Sequence, residues 1–192
     1  LHPRVRRQRQ MCIRDSNYSG FFLRDSAEYP PVKVCEKNPR YAMAMLSNIG
    51  ACNSEMSAVS LYFYNSLIAN GKYEEIGKTF HKISMVEMHH MNIYGQLAQK
   101  LGADPRLWSV ERRRFTYWSP GCNRYPRRID MMLKHAYEGE KLAIATYKRQ
   151  AEWIQDEYVV ANLERIILDE RLHIEIIEQL YEKYVKTAIP RV

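Results

Sequence analysis

No stretch of this 192-residue chain approaches the ~18 uninterrupted apolar residues that a membrane-spanning helix needs, so no membrane partner is expected. The first twenty residues also lack the apolar core of a secretory leader, and the plain expectation is a cytoplasmic protein. Cysteine is scarce. Cys12, Cys35, Cys52 and Cys122 form no C-x-x-C pair, which excludes a zinc ribbon or a four-cysteine iron site. Scattered single cysteines fit a reducing compartment, where each is expected to be a small buried hydrophobe, Cys52 among them.

What is present is a chain of one-domain length with 46% hydrophobic residues, enough for a real core. The net charge of +7 is partly an end effect. Residues 1–16 carry Arg4, Arg6, Arg7, Arg9 and Arg14 against Asp15 alone, so much of the excess sits there. That stretch has no helical or strand period and resembles translated adapter sequence. Residues 1–20 are therefore set aside as a non-native or disordered segment, 21–37 as an extended lead-in, and 38–188 as the folded domain. With the first segment goes most of the electrostatic case for nucleic acid. The basic-aromatic run Arg112-Arg113-Arg114-Phe115-Thr116-Tyr117-Trp118 reads better as an aromatic strap with solvated arginines.

Four long helices are expected. The first opens at Asn38-Pro39, a cap followed by proline at the first helical position, and runs to Gly71. The second runs from Tyr73 to Gly102, the third from Arg127 to Ile154, and the fourth from Asp156 to Lys186. Short links make two antiparallel hairpins. Between them lies the irregular stretch 103–126, which can reach up to about 80 Å against a helix of roughly 45 Å. A long crossover is the expected connection.

The two hairpins repeat a pattern. Ala51-x-x-Ser54-Glu55-x-x-Ala58-x-x-x-Tyr62 has the spacing of Ala136-x-x-Gly139-Glu140-x-x-Ala143-x-x-x-Tyr147. The second helix of each hairpin then carries Glu-x-x-His, as Glu87…His90 and Glu170…His173. Sixteen glutamates and six histidines in 192 residues make about half of one such match by chance, so placement carries the argument. Glu170 lies seven residues from both Leu163 and Ile177, and Glu87 seven from Phe80 and Tyr94, so both point into the core. An unpaired buried carboxylate costs several kcal/mol or neutralises itself. Four carboxylates carry −4, which two divalent cations balance. Oxygen ligands with imidazole favour iron or manganese. The expected ligands of two Fe or two Mn ions are Glu55, Glu87, His90, Glu140, Glu170 and His173, with Tyr62 and Tyr147 nearby on the same face. His89 and His135 read as surface residues.

These six residues in two hairpins resemble the rubrerythrin branch of the ferritin-like superfamily over about residues 38–186. Tyr29-Pro-Pro-Val-Lys-Val and Asn38-Pro-Arg also resemble the lead-in of manganese catalases and related spore-coat proteins. The resemblance implies an all-α, ferritin-like four-helix bundle with dimetal redox chemistry on hydrogen peroxide or dioxygen, an external electron donor and a homo-oligomer, a dimer. Manganese catalase, ferroxidase or iron handling, and a spore-coat role stand as alternatives. Rubrerythrins carry a four-cysteine iron site that is not in this sequence. They also place a further glutamate where this chain has Ala143.

Overall fold

The computed structural model describes residues 23–111, 114–186 and 189. The segment 1–20, Cys12, Arg112 and Arg113 lie outside them. The elements are α1 (Pro39–Gly50), α2 (Glu55–Ala69), α3 (Glu74–Lys100), β1 (Trp108–Glu111), β2 (Arg114–Tyr117), a 3-10 turn (Pro120–Cys122), α4 (Ile129–Trp153) and α5 (Glu157–Val185). No helix among the described residues is long and apolar enough to cross a membrane.

Local chemistry explains the helix ends. The Asn38 side chain accepts from the backbone N–H of Arg40 and Tyr41, and Pro39 follows at the first helical position. Asp156 caps α5 through the N–H groups of Tyr158 and Val159. Gly102, at φ +102°, turns the chain out of α3 in the left-handed region that glycine alone adopts freely.

The single helix expected over residues 38–71 is two. Backbone at Ala51 and Ser54 is extended, with ψ 168° and 169°. The reason is tertiary. The crossover stretch, expected to be irregular, contains the antiparallel hairpin β1–β2, in which Trp108 pairs with Tyr117 and Glu111 with Arg114. Its backbone presses on the end of α1 so closely that a Cβ on Gly50 would sit 2.1 Å from the Trp108 nitrogen. The hairpin is an aromatic strap, with Trp108 stacked on Phe115 at 4.6 Å between ring centroids.

Pairs across the bundle fix its directions. Asn48 and Gln150 exchange two side-chain hydrogen bonds of 2.8 Å, and the Gln155 N–H donates to the Tyr41 hydroxyl, so α1–α2 runs antiparallel to α4. Likewise Lys183 reaches Glu75 at 2.6 Å while Asp169 reaches His90, so α3 opposes α5. With two hairpins, α3 and α4 are parallel, as the long crossover requires.

The apolar core comes in two clusters. One gathers Met45, Leu46, Ile93, Leu97, Leu163 and Ile166 near the α1 end, and the other Leu61, Phe80, Ile83, Met132, Ile177 and Leu180. Between them lies a slab of buried polar side chains. The Gly50 contact can be tested directly. Gly50→Ala should destabilise the fold by about 1–3 kcal/mol, because backbone rather than a flexible side chain must move. In a thermal melt that is a Tm loss of roughly 2–10 °C, and an unchanged Tm would mean the strap does not bear on α1.

Candidate metal centre

The polar slab is built from one residue set per helix. Glu55 is the first residue of α2, freed by the break to start a new helix, and Glu140 sits mid-way along α4. Glu87 and His90 come from α3, and Glu170 and His173 from α5. Every one is at least 98% buried. The two imidazole rings lie 6.3 Å apart.

The six fall into two groups of four. Glu55, Glu87, His90 and Glu170 each offer one atom within 4.8 Å of the others, and so do Glu87, Glu140, Glu170 and His173. Glu87 and Glu170 belong to both. The groups match almost contact for contact. His90 Nδ1 lies 3.1 Å from Glu87, 3.3 Å from Glu170 and 3.9 Å from Glu55. His173 Nδ1 lies 3.1 Å from Glu170, 3.0 Å from Glu87 and 3.8 Å from Glu140. The repeat between the hairpins therefore appears in the side chains as a pseudo-twofold. It extends to the tyrosines: the Tyr62 hydroxyl donates to Glu140, and the Tyr147 hydroxyl donates to Glu55.

This geometry fits cations better than protons. One nitrogen proton cannot serve three carboxylate oxygens. Glu87 Oε1 and Glu170 Oε1, though close to histidine nitrogens, close no hydrogen bond. Donor atoms roughly 2 Å from a common ion would lie about 3 Å from one another, the spacing seen here. The outward nitrogens settle the tautomers. His173 Nε2 is 2.9 Å from the backbone oxygen of Leu23, which can only accept, so Nε2 carries the proton and Nδ1 faces the carboxylates. His90 Nε2 is 3.0 Å from Asp169.

Asp169 and the lead-in were not foreseen as parts of the site. Asp169 is fully buried, accepts from the Tyr29 hydroxyl at 2.5 Å and from the Asp25 N–H at 2.6 Å, and forms an ion pair with Arg165 at 2.9 Å. Burial pushes its carboxyl up, but His90, Tyr29 and Arg165 outweigh that and hold it at about 2. Arg165 anchors the lead-in further through the carbonyls of Ala27 and Asp25. The available signal was the run Asn162, Arg165, Asp169, polar residues at helical spacing on one face. It did not say which histidine the aspartate would meet.

Two cysteine expectations are corrected. Cys52 is exposed, not a buried thiol, and is disulfide-bonded to Cys122 across a separation of 70 residues. Spacing could not reveal the pair, because only the returning crossover brings Cys122 to the α1–α2 break. Cys35 is free and also exposed. His135 is half-buried, not a surface residue, and borders a cavity of about 130 Å³ that also touches Glu55, Glu140, Ala143 and both bonded cysteines. His89 lies against Tyr29, their rings 4.6 Å apart.

Among helical proteins, two antiparallel hairpins around a slab of glutamates and histidines define the ferritin-like carboxylate bundles. Within that class the chain belongs to the rubrerythrin family, whose model matches residues 50–181. Two crystal structures of KatB, a manganese catalase from Anabaena, share the fold. The first, of the wild type, has a TM-score of 0.76 at 18% identity and covers 89% of this chain and 84% of that one. The second, from Anabaena PCC7120, has the same TM-score and identity over 88% and 83%. No curated protein matches the sequence.

Without cations, protons must balance the slab. Burial, then the charges of Glu87 and Glu170, push Glu55 and Glu140 well above the usual carboxylate range. Burial opposes charge on His90 and His173, but the surrounding carboxylates outweigh it and raise both well above 6.5. These four groups hold protons that the unfolded chain releases above its ordinary values of 4.5 and 6.5. Their stabilisation is complete below those values and is lost as pH rises through the raised folded ones. Metal-free protein should therefore melt at a lower temperature at about pH 9 than at about pH 6. A higher Tm at the alkaline end would overturn this protonation pattern.

Proposed function

We propose that the chain is a dimetal oxidoreductase of peroxide detoxification, acting on hydrogen peroxide or dioxygen. The observation that carries this reading is the pair of four-residue groups sharing Glu87 and Glu170. Glu55 and His90 would help hold one ion and Glu140 and His173 the other, with Glu87 and Glu170 available to both. Two Fe or Mn ions bound there would supply the two electrons that cleavage of an O–O bond needs.

The protein's own residues do the rest. Tyr62 and Tyr147 hold the outer carboxylates of Glu140 and Glu55 by hydrogen bonds that cross from one hairpin to the other. Burial, then the adjacent carboxylate, keeps both hydroxyls protonated by raising them well above their ordinary range. Asp169 and the Leu23 carbonyl hold the histidines with Nδ1 inward. The cavity of about 130 Å³ admits peroxide and water but is smaller than the ~300 Å³ at which drug-sized ligand pockets begin.

Metal analysis tests the reading. Reconstituted wild type should hold about two Fe or Mn ions per chain, and Glu170→Ala, which removes a ligand common to both, should hold few. Equal metal in the two proteins would sink it. Asp169→Asn should weaken one ion by about 10- to 100-fold and leave the other nearly unchanged, because only His90 leans on Asp169. Two equally weakened ions, seen by titration calorimetry, would contradict that assignment.

The likeness in fold to a manganese catalase favours a second reading, disproportionation of peroxide without an outside reductant. Oxygen evolution from peroxide alone by manganese-loaded protein would select it. Turnover only with added reductant would select the first.

A further inference from the structure

The disulfide and the carboxylate slab border one cavity. Cys52 and Cys122 line the same space of about 130 Å³ as Glu55, Glu87, Glu140 and Glu170. Cys52 lies three residues before Glu55, at the break that starts α2. Its other side is exposed, so an outside thiol can reach the bond while the slab stays buried.

A second observation concerns how the two cysteines are kept together. The Ser57 hydroxyl donates to the Cys52 carbonyl at 2.7 Å, and the Trp118 indole N–H donates to the Ser57 hydroxyl at 2.9 Å. The Asn123 side chain, next to Cys122, donates to the Ser57 carbonyl at 3.0 Å and to the Ser60 hydroxyl at 2.6 Å. Cα atoms of the cysteines are 4.8 Å apart within this frame. Hydrogen bonds, not only the covalent link, dock the crossover on α2. These bonds would hold the two cysteines close together if the link were reduced.

From these we propose that Cys52 and Cys122 are a redox-active pair that supplies the electrons for peroxide reduction at the neighbouring carboxylate–histidine site, making the chain a thiol-dependent peroxide reductase. The inference rests on the dimetal reading above and names its electron source. The balance is complete. The O–O bond of one hydrogen peroxide breaks and one S–S bond forms between Cys52 and Cys122. The two thiol hydrogens leave with the two oxygens as two water molecules. An external dithiol then exchanges with the exposed disulfide, returning two hydrogens and becoming a disulfide itself.

The test follows the sulfurs. Metal-loaded wild-type protein is reduced with dithiothreitol, freed of it without oxygen, and given one equivalent of hydrogen peroxide. Thiols are then trapped by alkylation and located by peptide mass spectrometry. The Cys52–Cys122 bond should form at least about ten-fold faster than in protein stripped of metal, with exposed Cys35 still alkylated as an internal control. Equal rates with and without metal overturn the proposal, since peroxide would then be meeting the thiols directly. Peroxide consumed while the pair stays reduced overturns it too, but leaves the dimetal reading standing as a catalase. Failure to bind metal or to consume peroxide overturns both. A Cys122→Ser variant should keep the wild-type metal content and helical circular dichroism and lose dithiothreitol-driven consumption by at least about ten-fold. Retained consumption overturns the proposal. If that variant misfolds, Cys52→Ser serves, and the thiol-trapping experiment on wild type decides without either.

Discussion

Four carboxylates buried within a few ångströms of one another are the constraint around which the bundle is organised. Left alone they would repel strongly in a medium of low dielectric, and each would lose its hydration. Two features of the fold answer that problem, and a third sharpens it. Two histidines stand on the same helices as two of the glutamates, one turn further on. Two tyrosines from opposite hairpins donate to the remaining pair. Two apolar clusters close the slab from either end and hold bulk water off, so cations or protons must balance the charge. The same seclusion that penalises unbalanced charge would favour divalent cations held between these residues.

The two halves are equivalent toward the centre and different behind it. Matched inward distances around His90 and His173 are 3.1 and 3.1 Å, 3.3 and 3.0 Å, and 3.9 and 3.8 Å. Outward, one ring meets a carboxylate that is itself held by Arg165 and Tyr29, and the other meets a neutral carbonyl. A carboxylate partner makes an imidazole a stronger donor than a carbonyl does, so a pair of ions here would sit in unlike fields. Asp169 of α5 and Leu23 of the lead-in together cause this asymmetry. The lead-in brings the Leu23 carbonyl to His173 and the Tyr29 hydroxyl to within 3.5 Å of His90.

The crossover has a comparable double role. It spans the bundle to make α3 and α4 parallel, and on its way it breaks the first long helix by pressing β1 against Gly50. That break puts Glu55 at a helix start and leaves Cys52 outside any helix, facing Cys122. Ala143, at the position where rubrerythrins carry a further glutamate, borders the cavity and leaves space there. Access to the slab is thus shaped by the least regular part of the chain.

Helix positions, the two-hairpin order and the six residues that the fold gathers into one buried cluster were legible in the sequence, because each depends on neighbours within a turn or two. Heptad spacing from Leu163 to Glu170 to Ile177 puts a carboxylate on an apolar stripe, and charge balance then asks for cations. Tyr62 and Tyr147 were legible as well, through the repeat, as residues on the same face as their glutamates. What they bond to was not, since each donates to the other hairpin's carboxylate. The break at residues 51–54, the Cys52–Cys122 bond, and the roles of Asp169, Leu23 and His135 were settled only by tertiary structure. All of these join segments far apart in the chain through contacts one atom wide. Periodicity records which face a side chain shares with its own helix, but carries no information about which distant atom arrives there.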